Sequence, residues 1–122
     1  MTDSFFFDTY AIVEIVKGNK NYIQYEHSNA ITSIFNIKEL YYALLRDFDK
    51  STADLYADKY AMLIADVHLW IIKKAMEFKL LHKRDSLSYT DCIGYVFALE
   101  NHIKFLTGDK KFEGLPNVEF VK

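Results

Sequence analysis

Along the chain, short solid runs of apolar residues alternate with stretches where they recur about every 3.6 residues. Phe5-Phe6-Phe7 is a solid run, the form of a strand buried on both faces. Asp8-Thr9 follows, then a helical pattern through Ala11, Ile12, Ile15 and Val16 that Gly18 and Asn19 end. A short helix is expected from Tyr22 to Glu26. Ala30-Ile31-Thr32 reads as a second strand. Ser33 then caps a helix with Ile34, Ile37, Leu40, Tyr41, Leu44 and Phe48 at helical spacing. Ser51 or Thr52 starts another helix through Leu55 and Tyr60. Met62-Leu63-Ile64-Ala65 suits either a continuation of that helix or a third strand. The strand is preferred, because Asp66 can then cap a helix carrying Leu69, Trp70, Ile72, Ala75 and Met76, with Trp70 in the core. Ser88 caps a helix from about Tyr89 to Asn101. His102 to Leu106 is a strand, Thr107-Gly108-Asp109 a turn, and Asn117 to Val121 a last strand after Pro116. Strands alternating with helices imply βαβ units and a mostly parallel sheet.

Length and composition narrow this picture. A chain of 122 residues fits one domain over 1–122, and its hydrophobic fraction of 51% supports a real core. The single cysteine, Cys92, excludes an internal disulfide and reads as a small core residue, which suits a reducing cytoplasm. No stretch is long and apolar enough to cross a membrane, and Met1-Thr2-Asp3-Ser4 lacks the basic region of a signal peptide. The net charge of −2 argues against a protein that grips nucleic acid by bulk electrostatics alone. A local acidic metal site remains compatible with it. The four histidines, His27, His68, His82 and His102, are spread without the spacing of metal ligands.

Ligands of open α/β sheets bind at the carboxyl ends of the strands. Asp8 and Asp109 fall there. Taken alone, Asp8 suits a helix N-cap and Asp109 a turn residue. Asp91 completes Ser88-Tyr89-Thr90-Asp91, the pattern of a capping box. Gly94, on Asp91's side of the helix, signals a close approach by a strand or a ligand, because a mid-helix glycine costs about 1 kcal/mol. Glu39 points away from the Ile34–Ile37–Leu44 stripe, beside Phe35, Tyr42 and Arg46, so that this side either lines a cleft, meets a partner or carries a plain surface acid. Together these acids suit a hard divalent cation, Mg²⁺ or Mn²⁺, which prefers oxygen ligands and keeps several waters. A pair of such ions can promote phosphodiester hydrolysis.

These segments resemble the PIN domain, and within it the VapC-type toxins of toxin–antitoxin pairs. The likeness is carried by Phe7-Asp8-Thr9, Asn36-Ile37-Lys38-Glu39-Leu40, Leu87-Ser88-Tyr89-Thr90-Asp91 and Phe105-Leu106-Thr107-Gly108-Asp109-Lys110-Lys111-Phe112. The resemblance implies a three-layer α/β/α fold with a short, mostly parallel central sheet. It implies a Mg²⁺- or Mn²⁺-dependent endoribonuclease with Asp8, Glu39, Asp91 and Asp109 as its acids. Thr107 would match a hydroxyl that helps orient the last carboxylate. It further implies a homodimer and a small antitoxin partner. Lys111 stands where many relatives carry another acid, so a second metal would be held weakly. RNA contacts near the site would come from Lys38, Arg46, Lys110 and Lys111. Two other readings stay open: a catalytically silent interaction module, and a DNA nuclease with the same site. The aromatic surplus, Tyr22, Tyr25, Phe35, Tyr42, Tyr56 and Tyr60 among it, suggests a partner surface.

Overall fold

The computed structural model describes residues 3–122; Met1 and Thr2, half of the opening read above for targeting, lie outside it. Four short strands pair in parallel, in the order β2-β1-β3-β4. They are β1 (Ser4–Phe7), β2 (Asn29–Ile31), β3 (Lys104–Thr107) and β4 (Val118–Phe120). Five α-helices connect them: α1 (Thr9–Lys17), α2 (Ile34–Asp47), α3 (Lys50–Ala61), α4 (Leu69–Leu81) and α5 (Tyr89–Glu100).

The solid phenylalanine run explains the layering. Successive strand side chains alternate faces, so Phe5 and Phe7 enter one core with α1, α2 and α3. Phe6 enters a second core with α4 and α5. β3 does the same, with Leu106 in the first core and Phe105 in the second. A sheet covered on both faces is the three-layer α/β/α arrangement. Cys92 is buried in the second core.

Gly94 owes its place to this packing. A Cβ there would lie 2.7 Å from the Phe6 ring and 3.1 Å from the Phe105 ring, so the close approach is a packed sheet. Gly94→Val is expected to destabilise the fold by about 1–3 kcal/mol through overpacking, read by urea denaturation.

Several expectations need correction. Residues 62–65 form no full strand. Thr32 and Ile64 make one isolated parallel bridge, with the Thr32 N–H donating to Leu63 O and the Ala65 N–H to Thr32 O. Met62 is 86% exposed, so the segment only grazes the sheet edge. Asp66 does not cap α4; His68 holds that position, without a side-chain cap. α3 begins at Lys50, because the Asp49 carboxylate accepts the Thr52 N–H. Trp70 is 51% exposed, since Ile71 and Ala75 form the buried face of α4, and Ile34 at the start of α2 is likewise exposed. Tyr22, Tyr25 and Tyr60 are core residues. The hydroxyls of Tyr22 and Tyr25 donate to Val121 O and to the Glu119 carboxylate, so these rings are buried without leaving a polar atom unpaired. They offer no partner surface.

Candidate functional site

With β1 flanked by β2 and β3, the strand order reverses between β1 and β3. That is the switch point at which open α/β sheets bind ligands. Both strands end there in polar residues. Asp8 follows Phe7 directly, and Thr107 closes β3.

Asp8 stands at the N-cap position of α1, yet its side chain makes no cap hydrogen bond. Its Oδ2 instead accepts the Thr107 hydroxyl at 2.7 Å. Thr107 Oγ1 in turn accepts the backbone N–H of Asp109 at 3.1 Å. The hydroxyl therefore fixes the first carboxylate and the main chain of the last, and it makes no bond to the Asp109 carboxylate. Asp109 Oδ1 accepts the Lys111 N–H, opening a single 3₁₀ turn over Lys110–Phe112. Gly108 permits this turn, because a Cβ there would collide with Val121 O and the Tyr10 ring.

Asp91 is half-exposed as a residue and forms the expected capping box. Its Oδ2 accepts the Ser88 N–H, while Ser88 Oγ accepts the Asp91 N–H, both at 3.0 Å. Glu39 is half-buried and reaches the site through a network that the sequence reading missed. The Thr9 hydroxyl donates to Glu39 Oε1 at 3.1 Å, and Asn36 Nδ2 donates to Thr9 Oγ1 at 3.1 Å. The Ser33 hydroxyl donates to Asn36 Oδ1 at 2.6 Å. Asn36 is fully buried. Ser33, Asn36 and Glu39 recur at three-residue spacing, and a buried asparagine in an amphipathic helix needs such partners. That spacing was the available signal.

The electrostatics follow from crowding. Asp8 is 3% exposed. Burial, then the nearby Asp91 and Glu39 charges, push its carboxyl up to about 8, against the lowering effect of Thr107 and the Thr9 N–H. Burial also raises Asp91, with Asp109 adding to the rise and Ser88 and Lys111 opposing it. Among the described residues no lysine or arginine forms an ion pair with Asp8. The charges of Asp91 and Glu39 thus reach Asp8, and that of Asp109 reaches Asp91, at the carboxyl ends of β1 and β3. Among the described residues, however, no three acids, histidines or cysteines converge tightly enough to enclose an ion by themselves.

The PIN domain family model matches residues 5–118. This chain belongs to the PIN domain family. Among solved structures, the PIN fold recurs in the Mycobacterium tuberculosis toxin VapC20, described as cleaving the sarcin–ricin loop. The TM-score is 0.81 at 17% identity, covering 94% of this chain and 97% of that one. The VapBC2 structure from Rickettsia felis, bound to a promoter DNA fragment, matches with a TM-score of 0.73 at 16% identity, covering 97% of each chain. A toxin–antitoxin complex from Klebsiella pneumoniae gives 0.71 at 16%, covering 93% of each. At these identities the likeness is one of fold. No curated protein matches this sequence.

Proposed function

We propose that this PIN domain is a Mg²⁺- or Mn²⁺-dependent endoribonuclease, the toxin of a type II toxin–antitoxin pair acting in the cytoplasm. The observation that carries the reading is Asp8: a buried carboxyl at the β1/β3 switch point, crowded by Asp91 and Glu39 and, among the described residues, paired with no lysine or arginine. A hard divalent cation suits that donor set, which is all oxygen. A loosely arranged set suits Mg²⁺ in particular, which keeps several waters and takes few protein carboxylates. Asp8, Asp91 and Asp109 would hold the ion, with Glu39 joining directly or through water. Such an ion supplies Lewis-acid activation of water and neutralises phosphodiester charge.

The chain's own residues do the positioning. Thr107 aims Asp8 and ties β3 to it. Thr9 and Asn36 aim Glu39. The Ser88 box anchors Asp91 at the start of α5. The VapC20 likeness supports an RNA substrate and the VapBC2 likeness an antitoxin partner, while a homodimer is what the family resemblance implies. Purified protein is expected to cleave single-stranded RNA with Mn²⁺, to stop in EDTA, and to leave a DNA strand of matched sequence intact. Cleavage that persists in EDTA would refute metal dependence, preferential cutting of DNA would refute the substrate, and no cleavage with Mn²⁺ would favour a silent module.

A further inference from the structure

The outer side of α2 carries more than its acid. Thr9, Lys38, Glu39, Tyr42, Ala43 and Arg46 line an open groove of about 580 Å³. It adjoins the acidic edge, because Thr9 and Glu39 belong to both. Tyr42 is 66% exposed and its ring forms part of the groove wall. The Arg46 guanidinium lies 5.8 Å from the Tyr42 ring centroid. Its Nε and Nη2 donate to the Asp47 carboxylate, which holds the guanidinium plane in place. Among the described residues, Arg46 forms its ion pair with Asp47 and none with Glu39.

An exposed aromatic face beside two cations is the chemistry by which proteins hold a single-stranded base and its phosphate. We infer that the α2 groove is a nucleotide subsite for single-stranded RNA, with one base stacked on Tyr42 and the adjoining phosphate beside Lys38 and Arg46. The inference rests on the proposed nuclease reading and deepens it: the groove grips the strand next to the cut. The groove sets Lys38 and Arg46 against Glu39, and Arg46 also pairs with Asp47, so the exposed Tyr42 face rather than net charge carries the grip. Its size exceeds what one base fills, leaving room for the ribose. A stacking site is tolerant of base identity, so the groove contributes grip more than sequence choice.

The experiment measures binding without cleavage. Asp8→Asn protein is titrated into a short fluorescein-labelled single-stranded RNA of mixed sequence, followed by anisotropy. Adding Tyr42→Ala or Tyr42→Leu is expected to weaken binding roughly 5- to 100-fold, the effect of one lost base stack. Tyr42→Trp is expected to keep it. On a strand of abasic sites, parent and Tyr42→Ala should bind equally. Tyr42 is exposed, so unchanged circular dichroism confirms that each variant is folded. Equal RNA binding by parent and Tyr42→Ala overturns the subsite and leaves the nuclease reading standing. An equal loss on the abasic strand also overturns it, because the ring would then act by something other than stacking. A parent that binds no RNA, paired with a wild type that cleaves none, overturns both readings.

Discussion

Asp8→Asn is expected to reduce RNA cleavage by at least about a hundredfold and, in metal-free buffer at neutral pH, to raise the melting temperature. Both effects come from one carboxyl. Its folded pKa of about 8 lies far above the roughly 3.9 of an unfolded aspartate. Between those values the folded chain retains a proton that the unfolded chain has released. Stability must therefore fall as pH rises from about 4 to about 8. The contribution is complete below about 4 and is lost as pH passes about 8. Each pH unit of separation is worth about 1.4 kcal/mol, so the cost at pH 7 is on the order of a few kcal/mol. Asparagine carries no proton to lose, and its oxygen can still accept the Thr107 hydroxyl. The gain is expected to be about 1 kcal/mol or more, or roughly 4 °C in a chain of this length. The same carboxyl whose burial costs stability would, on losing its proton, hold the cation, and removing it should end catalysis. Melting curves from pH 4 to pH 9 check the sign: the wild type loses stability across that range, and the variant's curve is flatter. A variant that melts lower than wild type at pH 7 would contradict the account.

Asp91 separates a helix cap from a catalytic carboxylate. Its capping box needs an acceptor at the carboxylate position, and either an acid or an amide supplies one. Asp91→Asn should therefore keep α5 capped and leave the melting temperature unchanged or slightly raised, since burial already lifts this carboxyl above its ordinary range. Cleavage should nonetheless fall by at least about a hundredfold. Asp91→Ala should lose both, with a stability cost of about 1 kcal/mol from the broken box. Parallel melting and cleavage assays distinguish the two roles. Full activity in Asp91→Asn would make Asp91 a cap and nothing more.

Much of this arrangement was legible in local sequence. Phe5-Phe6-Phe7 states in three letters that the sheet is covered on both faces, and Ser88 with Asp91 states where α5 begins. The position of Asp8 follows from ending a strand with a polar pair. What escaped depends on distant partners. Thr9 and Asn36 lie 27 residues apart and meet only because α1 and α2 pack together. Thr107 and Asp8 lie 99 residues apart, and only the pairing of β1 with β3 joins them. Tyr22 and Tyr25, two of the tyrosines read as a partner surface, are in the core, where β4 and the C-terminal residues accept their hydroxyls, which no local pattern announces. Residues 62–65 have strand composition, but the edge of β2 offers them one bridge and no ladder. Tyr42 stands out for the opposite reason. An aromatic on the polar side of a helix had no local explanation, and the groove beside Glu39 now gives it one.

The most direct measurement is a Mn²⁺ titration followed by melting temperature, run on wild type, Asp8→Asn and Asp91→Asn at slightly alkaline pH. A cation that binds only the folded chain raises melting with the logarithm of how far its concentration exceeds its dissociation constant. The account predicts a concentration-dependent rise for wild type that both variants lose. No rise in wild type, or the same rise in all three proteins, would contradict it.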